Sequence, residues 1–367
     1  MDPIAHSLVG ASLSETRLGR LTALATPTLI LAANAPDIDI LSTAIGRDFS
    51  LGFRRGWTHG VLALAVLPLV LTVLIVLVDH VFARLRREPA KARAAPLIIL
   101  SYIGVLTHPL LDWLNTYGIR LLMPFDDRWF YGDALFIIDP WVWLLIGTAV
   151  VLANTQSVVS RAVWLTLSVA LTALVSGVDA VPATARWIWV TGLVVIIGVR
   201  VWNGAQHQLP RVATVGLSCV TLYIAAMVAG SRLASHQASD WLNQRGEIGS
   251  VVMAGPLPAN PFVRDIVVVD ERHYHFIELN WLRPDRFQVA GLPIPRGPTG
   301  PIIDAALTAS HVRGLLTWIR FPAYSVETLA DGFRVTIRDV RYTRVEGLGL
   351  GTVSVELDSN LRVQPPR

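Results

Sequence analysis

The spacing of apolar and polar positions divides the chain into two textures. Up to about residue 231 it is dominated by long apolar runs: 60–78, 94–111, from Asp139-Pro140 to about 160, 162–178, 186–202 and 212–231. Each is close to the roughly 20 residues that a helix needs to cross about 30 Å of hydrocarbon. Before them, Ile4, Leu8, Val9 and Leu13 form an apolar face too short to cross, and residues 21–36 make a second short segment that ends at Pro36. That proline makes continued helix costly. From about residue 235 the pattern changes to turn-rich sequence and short alternating runs. Strands are predicted over 265–270, 274–279, 333–338 and 352–357, with Asp331-Gly332 as a hairpin turn and 312–319 ambiguous between helix and strand. The fold class expected is mainly α: a polytopic transmembrane helical bundle (1–234) followed by a small C-terminal α+β or β-rich extramembrane domain (235–367).

Composition sharpens this picture. Of 367 residues, 53% are hydrophobic and 16% charged, against about a quarter charged in an ordinary soluble domain. The net charge of +4 rests on 30 Arg and one Lys, Lys91, with no basic run interleaved with aromatics, so no nucleic-acid partner is expected. The lone cysteine, Cys219, excludes an internal disulfide, and the start Met1-Asp2-Pro3 does not resemble a cleaved signal peptide. Arg84, Arg86, Arg87, Lys91 and Arg93 crowd one short loop, which places that loop in the cytoplasm. Threading the runs from there puts His59, His108, Asp112 and Asp139, with Asp37 and Asp39, at the outer ends of their segments. The expectation is a multi-pass protein of the bacterial inner membrane with an extracytoplasmic C-terminal domain.

Those residues carry the candidate chemistry. His108 and Asp112 are four apart and share a helix face, where they either grip a metal ion or form a hydrogen-bonded polar pair. With His6, Asp37, Asp39 and His59 they form a set of imidazoles and carboxylates without thiolate, which suits zinc first and manganese or iron as alternatives. Asp37, Asp39 and Asp112 are the catalytic candidates, as ligand, bridge or general base. Asn34, Arg55, Asn115, Asp133 and Asp139 are candidates for orienting ligands or holding substrate; Arg54 or Arg55 would suit a phosphate. His273 and His275 share a strand face but, lacking a third ligand in the pattern, read as surface residues; His207, His236 and His311 are isolated.

Four ordered motifs carry a resemblance: Met1-Asp2-Pro3-Ile4-Ala5-His6-Ser7-Leu8-Val9-Gly10, Asn34-Ala35-Pro36-Asp37-Ile38-Asp39, Arg55-Gly56-Trp57-Thr58-His59-Gly60 and His108-Pro109-Leu110-Leu111-Asp112. Over about residues 1–145 the chain resembles the membrane-bound metal-dependent hydrolase family typified by YdjM. The tail motifs Trp318-Ile319-Arg320-Phe321-Pro322 and Arg338-Asp339-Val340-Arg341-Tyr342 look like its longer members. A more distant resemblance is to zinc-dependent phospholipase C and the single-strand-specific zinc nucleases. It implies one metal on Asp37 or Asp39, His59 and His108, with Asp112 bridging to a second near His6. This chain lacks those enzymes' later histidines: none occurs between His108 and His207.

The function expected is therefore a membrane-bound metal-dependent hydrolase acting on a phosphoester, for instance a phospholipid head group, at the outer membrane face. The competing expectations are a proton- or metal-translocating transporter and a non-enzymatic membrane assembly factor. Against translocation, the polar residues gather at one face, and the membrane region shows no duplicated pattern.

Overall fold

The computed structural model describes residues 1–202, 208–247, 249–344, 349 and 351–365; His207 lies outside them. The helices in chain order are α1 (Pro3–Ser14), α2 (Ala25–Asn34), α3 (Arg47–Phe53), α4 (Val61–Arg86), α5 (Ala94–Trp113), α6 (Pro140–Ala153), α7 (Val158–Gly177), α8 (Ala183–Val201), α9 (Leu209–Gln244), α10 (Pro301–Leu307) and α11 (Arg313–Trp318). The strands are β1 (Ser250–Leu257), β2 (Asn260–Val269), β3 (His273–Asn280), β4 (Phe287–Val289), β5 (Ile294–Pro295), β6 (Pro322–Leu329), β7 (Gly332–Asp339) and β8 (Thr352–Asp358). The chain forms two compact units. One comprises Met1–Ile38, Arg55–Leu233 and Gly255–Arg264; the other comprises Asp39–Arg54, Ala234–Ala254 and Asp265–Arg367.

In the first unit, α4, α5, α7, α8 and α9 are the helices among the described residues that are long and apolar enough to cross a membrane. α5 stands apart. Of its most apolar window 44% is buried within the protein, against 11% for α4 and 6% for α7. The others turn residues such as Leu77, Val169 and Val195 outward. So much exposed apolar surface suits a lipid environment. α6 is shorter than the apolar run suggested. It stops at Ala153, about 21 Å long, because the polar stretch Asn154-Thr155-Gln156-Ser157 follows and Ser157 caps α7 with a capping box.

The two short N-terminal helices pack inside. Asp2 caps α1, accepting from the N–H groups of Ile4 and Ala5 at 3.0 Å each, and Pro3 suits the first turn. Two glycines then permit close approach. A Cβ on Gly10 of α1 would lie 2.5 Å from the Leu29 carbonyl oxygen of α2; one on Gly104 of α5 would lie 2.5 Å from the Ala32 Cβ. α2 is thus sandwiched where α1 and α5 both lack side chains.

The second unit is built on two sheets. One has the order β1-β2-β3-β4 with β5 also on β3; the other is β6-β7-β8. The turn predicted at Asp331-Gly332 closes β6 to β7, with Leu329 paired to Gly332. α9 continues beyond its apolar stretch because Ala234, Ala238 and Leu242 recur every fourth residue and pack with Ile266, Val268, Ile277 and Leu279. The ambiguous 312–319 segment is mainly helical. Asp48 of α3 accepts the Gly314 and Leu315 N–H groups at 3.0 and 3.1 Å. The tail motifs form a buried clamp: Arg341 reaches Asp339 at 2.7 Å and lies over the Trp318 ring at 4.7 Å.

Candidate metal centre

The close packing at Gly10 and Gly104 aims two imidazoles at each other. His6 lies four residues before Gly10 and His108 four after Gly104, so each shares a face with its glycine. The two rings stack at 3.7 Å and 15°. His59 enters from the segment before α4 and meets His108 edge-on at 4.9 Å between centroids. One donor atom each from Asp37, His59, His108 and Asp112 falls within 4.8 Å of the others. His6, His59, His108 and Asp112 are fully buried, while the Asp37 side chain is 18% exposed.

Asp112 is the hub. Its Oδ2 lies 3.2 Å from His59 Nε2, 3.5 Å from His108 Nε2 and 3.0 Å from Arg55 Nε. Its Oδ1 lies 3.3 Å from His6 Nε2 and also meets the Met1 α-amino group. The carboxylate therefore presents its two oxygens to two donor sets. His108 Nδ1 donates to the Ala33 carbonyl at 2.7 Å, leaving Nε2 to face Asp37 (3.6 Å) and His59 Nε2 (3.1 Å). A ring fixed through one nitrogen so that the other points into a cluster is the usual support for a metal-binding histidine.

The electrostatics agree. Burial, followed by the nearby positive charge of the Met1 amino group, holds His6 well below its ordinary pKa, so the ring stands neutral with a lone pair. Burial alone would raise Asp37, but the His108 hydrogen bond and charge outweigh it and bring its pKa below the ordinary value. His6 Nδ1 and Asn115 Nδ2 are buried without hydrogen-bond partners among the described residues. Orphaned buried polar atoms are uncommon, and here both adjoin the cluster. Imidazole nitrogens and carboxylate oxygens converging in a buried site fit a zinc-like ion.

The other predicted residues have different places. Arg55 is buried on Asp112, donates from Nη1 to Asn115 Oδ1 at 2.9 Å and lies over the Tyr117 ring at 4.5 Å. Asn115 thus orients the arginine. Asn34 donates to Ser7 Oγ (3.1 Å) and the Ile30 carbonyl (2.8 Å), tying α2 to α1. Asp39 belongs to the second unit, where it faces Arg54 at 3.5 Å. Asp139 caps α6 through the Trp141 and Val142 N–H groups and accepts from Tyr223 Oη at 2.8 Å. Burial pushes its pKa up to about 6. Asp133 is buried, with a left-handed φ of 49°, and stands outside the four-donor group. Sequence reasoning missed Tyr117 and the Ala33 carbonyl; a backbone acceptor has no residue signature, and a tyrosine under an arginine has no fixed spacing.

The model of a family described as YdjM inner membrane protein matches residues 1–183, a stretch that includes all four donors, His6 and Arg55. That description gives a location and names neither activity nor metal. No curated protein and no solved structure matches the chain.

Proposed function

We propose that this multi-pass inner membrane protein, a YdjM-family chain over its first 183 residues, is a metal-dependent hydrolase of phosphoesters. The observation that carries the reading is the convergence of Asp37, His59, His108 and Asp112 on one buried point. Asp37, His59, His108 and Asp112 would hold an ion, with His6, beside Asp112, as a further donor. When bound, such an ion supplies Lewis acidity and makes water available as a nucleophile near neutral pH. Asp37 is the member of the group open to solvent, where a carboxylate would serve to hold or pass on a proton. Arg55, fixed by Asn115 and Tyr117, presents a guanidinium beside Asp112 that suits a phosphate oxygen. Asp112 and His108 lie in the last turns of α5, at one end of a crossing. That position favours catalysis at a membrane face over relay through the bilayer. Orientation by the basic loop makes that face the outer one, where a phospholipid head group is presented.

The test is metal content and turnover of the full chain purified in detergent. The reading expects about one to two divalent ions per chain, lost in Asp112→Ala and His108→Ala, and metal-dependent release of head group from mixed phospholipids. A wild type that neither retains nor reloads metal overturns the centre. Stoichiometric metal without cleavage of any phosphoester offered overturns the enzyme.

A further inference from the structure

The turn between β2 and β3 gathers three more donors in the second unit. His273 and His275 alternate onto one face of β3, with ring centroids 6.0 Å apart. The third partner that the sequence pattern lacks is Asp270. Its Oδ1 accepts the Arg272 and His273 N–H groups at 2.7 and 2.6 Å, which fixes the carboxylate against the turn. Its Oδ2 lies 2.6 Å from His275 Nε2, and Oδ1 lies 3.9 Å from His273 Nδ1. One nitrogen of each ring and one carboxylate oxygen all fall within 4.8 Å of one another.

We propose that Asp270, His273 and His275 form a second divalent-cation site, open to solvent, for a borderline ion such as zinc or copper(II). Ligand atoms at about 2.0–2.1 Å from a tetrahedral zinc lie roughly 3.3 Å apart. The present separations of 2.6 and 3.9 Å to the carboxylate, with all donors within 4.8 Å, bracket that value, so side-chain rotation suffices without moving a backbone already pinned. The turn is closed by Asp270 N–H donating to the His273 carbonyl at 3.0 Å, and His273 is registered against Pro295 of β5. The adjacent cation, Arg296, donates to the Asp270 and Glu271 backbone carbonyls at 3.3 Å each. The three side chains are 25–40% exposed, which leaves water to complete the coordination. Two imidazoles and one carboxylate suit zinc and copper(II) and exclude the sulfur-rich structural class. With only three protein ligands the ion exchanges readily. The site does not depend on the hydrolase reading.

The experiment titrates zinc into the full-length protein in detergent, in a His59→Ala/His108→Ala background that disables the membrane centre. About one zinc is expected to bind there, with affinity falling at least about tenfold when His273→Ala and His275→Ala are added. In the otherwise wild-type chain the same pair lowers the zinc count by about one. Copper(II) resonance spectra should show coupling to two imidazole nitrogens, and to one in His273→Ala alone. Asp270→Asn retains an oxygen acceptor for the turn and should weaken binding with the fold intact. Equal zinc binding with and without both histidines, or a copper spectrum without their nitrogen coupling, overturns the proposal.

Discussion

The two donor clusters use the same residue types under opposite conditions. In the membrane unit His6, His59, His108 and Asp112 are fully shielded; on the β2–β3 turn the imidazoles are 37–40% exposed. Water solvates an exposed imidazole or carboxylate, so such a cluster persists at little cost whether or not an ion arrives. A buried carboxylate such as Asp112 persists only with compensating charge, which here comes from Arg55 and the Met1 amino group, and breaking such a set by removing one member costs several kcal/mol. Buried ligating groups are therefore a stronger signal of function than exposed ones, and their loss should be felt by the fold as well as by the ion.

The comparison breaks most readily at Asp112. Asp112→Ala leaves Arg55 and the three imidazoles without their shared carboxylate, and should destabilise the membrane unit by about 3–5 kcal/mol, read as a lower melting temperature in detergent together with lost metal. An unchanged melting temperature would mean the buried cluster is no more coupled to the fold than the exposed one.

Asp139 sharpens the contrast, because it is a buried carboxylate satisfied by helix-cap N–H groups and Tyr223, with Asp2 as a neighbouring carboxylate that also raises its pKa. Its folded pKa of about 6 exceeds the ordinary 3.8, so the native state binds its proton more tightly than the unfolded chain. Stability should therefore fall as pH rises from about 4 to 6, by up to about 3 kcal/mol, and level off above. Asp139→Asn, followed by thermal unfolding across that window, should flatten the slope.

Gly104→Ala tests positioning alone. The added methyl meets Ala32 Cβ at 2.5 Å and should cost about 1–3 kcal/mol, lowering metal occupancy with every ligand still present. At the small end, His273→Ala with His275→Ala should shift stability by no more than about 0.5 kcal/mol, measured in the same melts without added metal.

Much of the membrane unit was legible because period and length carry it: the helices at 94–113, 158–177 and 183–201 lie close to the apolar runs. Where helix and run diverge, polarity alone was the wrong guide. α9 continues to Gln244 because an alanine–leucine stripe finds a sheet to pack against, and α6 ends early because capping chemistry starts α7. At the site, His59, His108 and Asp112 were visible as costly residues in apolar surroundings. The choice between Asp37 and Asp39 was not, since two carboxylates two residues apart at the end of a helix differ only in where the chain turns. Asp270 was missed as a partner of His275 because the turn that folds it back is written in backbone hydrogen bonds rather than in a spacing.

The most direct measurement is X-ray absorption at the metal edge on the full-length protein carrying His273→Ala and His275→Ala, so that the membrane centre alone contributes. For zinc, the account predicts a nitrogen/oxygen shell at about 2.0–2.1 Å with imidazole scattering that diminishes in His59→Ala and no sulfur contribution. A protein that holds no metal after reloading, or an ion whose surroundings do not change when His59 is removed, contradicts it.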